Sequence, residues 1–313
     1  MNIAEIVRRS SLIMPVNQPR FVERAFARGA DAIVLDLEDS VSPREKARAR
    51  TMVKDAIPMA ALGGADVFVR INKATELMLE DLDAAIHPGL TGLSVPKAES
   101  AAEMHMLDEL VGYWEQRRGL PAGSVQYTVA METAKGILRA EEIAVASPRI
   151  ACIGAGPEDL ALDLGIEATV EGREFLYAKL RMILVATAAG VLPMGLMGTL
   201  ADYADLEGLT RSAQEAYRVG FRGASLIHPA QVPICNAAYA PAPELVAWSK
   251  RLIEAFDDGV ARGTASVALE GRMIDIPLAE KAHRLLARAN AIAAKEAKKA
   301  AALQAAGVPT PPS

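Results

Sequence analysis

The chain has 313 residues, 51% hydrophobic and 23% charged, with a formal net charge of −5. That composition excludes a disordered chain, and basic residues scattered along the sequence exclude the clustered basic surface of a nucleic-acid binder. No apolar run approaches the roughly 18 residues of a membrane span, the N-terminus carries charges and no signal core, and Cys152 and Cys235 suit neither a disulfide framework nor a zinc site. The expectation is a cytoplasmic protein with no membrane or nucleic-acid partner.

Short apolar runs alternate with longer helical patterns. The runs are 11–14, 32–37, 67–71, 92–95, 126–131, 150–153, a weak one at 191–196, and 224–227. They are continuous rather than alternating, as expected of parallel strands buried on both faces. Helices are predicted at 19–28, 42–57, 100–118, 134–145, 171–189, 202–219 and 244–256. The first begins at Pro19 and stops before Gly29; the second opens on Ser42 with Glu45 three residues later, a capping pair. Strand and helix in eightfold alternation predict a barrel or a doubly wound sheet. No Gly-rich dinucleotide or phosphate-binding fingerprint follows any strand, which favours a (β/α)₈ TIM barrel over residues 1–258. After it come a loop at 259–275, a long Ala/Lys/Arg-rich helix at 277–304 and a Pro-rich tail at 307–313, so that 259–306 reads as a C-terminal extension: a packed helix, a lid or a subunit contact.

In such barrels the active site lies at the C-terminal strand ends. There this sequence places Asp36, Glu38 and Asp39 after strand two, Arg70 after strand three, Lys97 after strand four, Glu132 after strand five, residues 154–159 after strand six and His228 after strand eight. Charged groups at the same end of five strands predict one convergent polar site. Glu132 and Asp159 read either as two oxygen ligands of a magnesium ion, with manganese as the alternative, or as structural partners of Arg70 and Lys97. The turn through Gly156, Pro157 and Glu158 begins a short helix, a binding position for a carboxylate, and Arg70 offers a two-pronged grip on another. Glu38 and Asp39 orient Arg70 or Lys97, or cap the following helix. Asp36 reads equally as a buried paired carboxylate or a catalytic one. His228 reads first as a structural histidine and second as a base. Metal, oxyanion site and arginine together suit a 2-keto or 3-hydroxy acid.

Seven segments in chain order carry a resemblance: RSSLIMP at 9–15, GADAIVLDLED at 29–39, VRIN at 69–72, METAKG at 131–136, GAGPED at 154–159, IHP at 227–229 and GRMID at 271–275. Each alone is weak; the ordered set is specific. The chain resembles the HpcH/HpaI aldolase superfamily, and within it the citrate lyase β-subunit-like lyases of CoA esters. The resemblance implies a magnesium-dependent oxo-acid lyase that cleaves or forms malyl-, citramalyl- or citryl-CoA. It implies that Glu132 and Asp159 bind the metal, that Arg70 and the backbone of residues 156–159 bind substrate carboxylates, and that Arg9 lies near the CoA end of the site. Lys97 is read from its place after strand four as a substrate-binding residue, a Schiff-base role being unnecessary beside a divalent metal. The resemblance also implies that Asp275 serves acid–base chemistry in a neighbouring subunit, within a homotrimer or hexamer. Val16 stands where many relatives have glycine, and is expected to reshape the thioester entrance. Two other readings are kept: a class II aldolase acting on free 2-keto acids, and a non-catalytic barrel subunit.

Overall fold

Strands form where the apolar runs are buried on both faces. The computed structural model describes residues 3–198, 204–264 and 266–307. Its strands are β1 Ser10–Pro15, β2 Ala32–Asp36, β3 Asp66–Arg70, β4 Gly92–Val95, β5 Gln126–Ala130, β6 Ile150–Gly154, β7 Leu192–Met194 and β8 Ala224–Leu226. All pair in parallel, in the order β7-β6-β5-β4-β3-β2-β1-β8. Backbone bonds join the two ends of that order, from Arg222 N to Pro193 O at 2.9 Å and from Gly195 N to Gly223 O at 2.8 Å, and bring the sheet round into the expected barrel.

Between the strands run α1 Pro19–Val22, α2 Lys46–Ala61, α3 Thr75–Ala85, α4 Ala101–Arg118, α5 Ala134–Leu138, α6 Ala140–Ala144, α7 Pro157–Leu164, α8 Leu176–Ala189, α9 Leu206–Val219 and α10 Gln231–Ala238. Several differ from expectation: α1 is shorter than 19–28, 134–145 is split into α5 and α6, α8 starts at Leu176, and α10 was not predicted; three further differences have identifiable reasons. The Ser42 side chain makes no capping bond; a single 3₁₀ turn, Pro43–Glu45, leads into α2 instead. Helix α3 was not predicted, because its buried face, Met78, Asp81, Leu82 and Ala85, carries an aspartate where an apolar residue would complete the period. Asp81 is tolerated there because it accepts from Arg50 Nε at 2.7 Å and from Asn72 N at 2.8 Å. The predicted helix at 202–219 begins at residues outside the described set and is observed from Leu206. Of the expected tail only Gly307 is described.

Two compact units divide the chain. Among the described residues, the first contains Arg8–Tyr239 and 299–307; the second contains 3–7 and Ala240–Lys298. The division falls earlier than the expected 258/259 boundary. The reason lies in α11 Pro243–Ala261, whose Leu252 is buried with Ile274, Ala279 and Ala282 in a core of the second unit's own. The expected loop at 259–275 contains a short hairpin, β9 Val267–Leu269 and β10 Arg272–Ile274, turning on Glu270 and Gly271, both at positive φ. That geometry matches the twist of antiparallel strands. The long helix is α12 Ile276–Ala305.

At the N-terminal end of the barrel strands, Arg9 and Asp31 form a buried two-pronged pair. Arg9 Nε and Nη2 each donate at 2.8 Å, and Lys299 Nζ adds a bond at 3.0 Å. Burial raises the Asp31 carboxyl, but Arg9 and Lys299 outweigh it and hold the pKa below its usual range. Arg9, expected near the CoA end of the site, precedes β1 at the end away from the polar strand termini, and its fork is taken by Asp31. Val16 is wholly buried, so it belongs to the core and not to an entrance. Removing the Asp31 carboxylate would strand two buried cations. Asp31→Ala is expected to cost on the order of 3–5 kcal/mol, read as a lowered urea midpoint at pH 7.

Candidate active site

Register builds the site. Asp36 lies opposite Arg70, Arg70 opposite Ser94, and Ser94 opposite Thr128, on four successive strands. Asp36 and Arg70 therefore meet side by side, with Nε and Nη2 donating to the two carboxylate oxygens at 2.6 Å each. Asp36 also accepts from Glu38 N at 2.9 Å and Ser40 N at 3.0 Å. Burial alone would raise its pKa, but Arg70 prevails and holds it low, while the same pair raises that of Arg70. Of the two readings of Asp36, the buried paired carboxylate is the one observed. The fork of Arg70, expected to grip a substrate carboxylate, is taken by Asp36. Its Nη1 stands 2.9 Å from Glu38 Oε2, and Arg70 still lines the cavity.

Lys97, expected at the substrate, has its ammonium engaged among carboxylates: 2.7 Å from Glu38, 3.2 Å from Asp159 and 3.4 Å from Asp39. Glu38 is buried and Asp39 exposed. Burial raises the Glu38 pKa, with Arg70 and Lys97 only partly compensating. The β2 loop is fastened by Lys46, which donates to Leu37 O at 2.8 Å, Glu38 O at 2.9 Å and Asn72 Oδ1 at 2.7 Å. Lys46 was not anticipated; it opens α2 and nothing in its neighbours reveals the target.

Glu132 follows β5 and is almost fully buried. Met131 N donates to Gly154 O at 2.8 Å, which ties its segment to β6. Thr133 caps α5 by accepting from Gly136 N at 3.1 Å, and Ala134 N donates to Asp163 at 2.7 Å. Lys97 N donates to Glu132 Oε1 at 3.1 Å. On the other side, a Cβ placed on Gly156 would lie 2.2 Å from Glu132 Oε2, so only glycine permits the approach. Burial, then the charges of Asp159 and Glu38, push the Glu132 carboxyl up to about 7.

Pro157 opens α7 as a first-turn proline, with Glu158 and Asp159 in that turn. First-turn amides have no acceptor inside their helix, which suits them to an anion. A cavity of about 320 Å³ is lined by Arg70, Glu132, Gly156, Glu158, Asp159 and, on its apolar side, Leu196 among others. His228 is exposed, and its Nδ1 accepts from Ala230 N at 3.2 Å, a turn-forming role. Asp275 belongs to the second unit, where Oδ1 accepts from Leu278 N at 3.1 Å at the start of α12.

The donor chemistry fits a magnesium ion. Among the described residues no cluster of three or more His, Cys, Asp or Glu forms a closed metal cage. Two carboxylates from adjacent strand ends, one with its proton affinity raised by burial and then by surrounding negative charge, are what magnesium takes when water and substrate oxygens fill its octahedron.

The sequence profile of the HpcH/HpaI aldolase/citrate lyase family matches residues 9–229. The chain is 35% identical to the citrate lyase subunit beta of Leuconostoc mesenteroides subsp. cremoris, over 92% of this chain and 95% of that protein. It is 31% identical to the L-malyl-CoA/beta-methylmalyl-CoA lyase of Cereibacter sphaeroides, over 91% and 96%. Its fold matches the crystal structure of CitE from Mycobacterium tuberculosis in complex with magnesium, acetoacetate and coenzyme A, with a TM-score of 0.71, 30% identity, and coverage of 91% of this chain and 99% of that one. The chain belongs to the HpcH/HpaI aldolase/citrate lyase family.

Proposed function

We propose that this barrel cleaves, or forms, the carbon–carbon bond of a 3-hydroxyacyl-CoA of the malyl, citramalyl or citryl type, with magnesium held by Glu132 and Asp159. The observation that carries the reading is this pair on adjacent strand ends, with Glu132 pushed up to about 7 in a cluster short of positive charge. The thioester half rests on relatives that are a citrate lyase subunit beta and a malyl-CoA lyase, and on the magnesium- and coenzyme A-bound structure.

Bound there, magnesium supplies Lewis-acid polarisation of substrate oxygens. The protein does the rest. The first-turn amides of α7 hold the keto-acid carboxylate, and Arg70, fixed by Asp36, lends the lining its positive charge. Glu38 and Asp39 keep Arg70 and Lys97 in place. A base takes the 3-hydroxyl proton, the hydroxyl carbon becomes the carbonyl of a 2-oxo acid, and the bonding pair leaves to the thioester enolate. Protonation of that enolate carbon then yields the acyl-CoA. Asp275 of a neighbouring copy, in a homotrimer or hexamer, is the proposed acid–base group. No described helix is long and apolar enough to cross a membrane, and both cysteines are free and buried; both observations support a cytoplasmic enzyme.

Each of the three CoA esters is to be incubated with purified protein, with keto acid and CoA species followed by chromatography. Keto acid is expected with magnesium, lost in EDTA and restored by added magnesium. EDTA-resistant cleavage would overturn the metal assignment, condensation of pyruvate with aldehydes lacking any thioester would favour the free-acid aldolase, and inactivity on all three esters would favour the non-catalytic subunit. In the same assay Asp275→Asn is expected to lose about 100-fold or more in turnover; unchanged turnover removes Asp275 from the chemistry.

The raised carboxyl sets a pH dependence for metal binding. Below about 7, Glu132 is protonated in the metal-free protein and must release its proton to bind the ion. Calorimetric magnesium affinity is therefore expected to fall about tenfold per pH unit below 7, with close to one proton released per ion, and to level off above it. Gly156→Ala drives a methyl group into Glu132 Oε2. A displacement of that order costs roughly 100-fold in kcat, with the circular dichroism spectrum unchanged.

A further inference from the structure

Lys97 touches both proposed metal-binding carboxylates, through different parts of itself. Its backbone amide donates to Glu132 Oε1 at 3.1 Å, and its ammonium lies 3.2 Å from Asp159 Oδ1. The two contacts are compatible because the backbone is left-handed there, at φ 51°. Among the described residues only Glu270, in the hairpin turn, shares that feature without being glycine. A left-handed lysine is strained and persists only where its surroundings hold it. Here the holding groups are Glu132 on the amide and Glu38, Asp39 and Asp159 on the ammonium.

We propose that the Lys97 ammonium is a built-in counter-ion of the carboxylate pair, competing with the divalent cation for Asp159 and swinging back wholly to Glu38 and Asp39 when the cation binds. The proposal rests on the metal reading above. Among the described residues, five carboxylates (Asp36, Glu38, Asp39, Glu132 and Asp159) share only Arg70 and Lys97 as directly paired cations. Arg70 is committed to Asp36, so the ammonium alone steadies Asp159. A dication beside Asp159 repels an ammonium a few ångströms away, and Glu38, 2.7 Å from Nζ, is already in place to receive it. Lys97 thus acts on the ion through the two carboxylates: its amide aims Glu132, and its ammonium occupies Asp159 until the ion displaces it.

The test is Mn²⁺ titration of the substrate-free, full-length protein at pH 8, with free ion followed by electron paramagnetic resonance. Lys97→Met keeps the amide and length but removes the competing charge, and is expected to bind Mn²⁺ about tenfold more tightly, while Lys97→Arg stays near wild type. A merely structural lysine would give the opposite result, since its loss would loosen the pair and weaken binding. Equal or weaker binding by a folded Lys97→Met overturns the proposal. Should that variant not fold, trace acetylation of the wild type decides. Saturating Mg²⁺ should raise Lys97 reactivity relative to Lys73 and Lys135, and an unchanged ratio overturns it. Mn²⁺ binding gained only in Lys97→Met supports the proposal, whereas no binding by either protein defeats the metal reading and this proposal with it.

Discussion

Asp36 and Arg70 occupy opposed register positions on neighbouring parallel strands, and their two-point bond decides the electrostatics around it. A buried arginine needs a partner that meets its fork. Once Asp36 provides it, little of the guanidinium remains for other acids. Glu38 receives one further contact, Lys97 serves Glu38 and Asp159, and Glu132 is left with backbone donation and no cation of its own. The raised Glu132 carboxyl follows first from depth of burial and then from this allocation. A site in which every carboxylate had its own lysine or arginine would have nothing to offer a metal ion.

The same bond keeps Arg70 at the cavity wall. A free arginine in an acidic pocket would settle against whichever carboxylate came nearest, including Glu132 or Asp159. Held from behind by Asp36, with Asp36 held by the amides of Glu38 and Ser40, Arg70 presents a fixed charge to the cavity. The β2 loop that supplies those amides is itself pinned by Lys46 and Asn72. Positioning thus runs outward from the lining through groups that never reach it.

How much of this was legible in the sequence depended on whether local spacing carried the information. The eight strands were legible because most are continuous apolar runs, and the barrel rule then named the C-terminal ends, where the structure brings Asp36, Glu38, Arg70, Lys97, Glu132 and Asp159 together. Helix α3 was not, because a buried aspartate breaks its stripe. The β9–β10 hairpin was not, because strands of three residues are too short for a period, although Gly271 marked the turn. Partner choice was invisible: that Asp36 takes the fork of Arg70 depends on register between strands, and that Arg9 pairs with Asp31 depends on where β1 begins. Arg9 lies five residues before Met14 in the sequence, but a parallel strand carries those residues to opposite ends of the barrel. A motif match locates a residue along the chain without saying which end of a strand it occupies.

The most exacting contacts of the site are made by backbone, where side-chain identity gives the weakest clue. Glu132 is approached on one side by the amide of Lys97, whose left-handed conformation is unusual for a lysine, and on the other by the bare Cα of Gly156. Neither contact depends on a functional group in the usual sense. Both depend on loops leaving β4 and β6 at a separation fixed by the strand between them, β5, from whose end Glu132 projects. Neighbouring strands lie under 5 Å apart, so a carboxylate rising from the middle strand is gripped by its two neighbours almost automatically, provided that one offers an amide and the other withholds a side chain. That requirement accounts for a tolerated strained lysine and a glycine on opposite flanks of a single glutamate, and it places the precision of the site in the barrel itself.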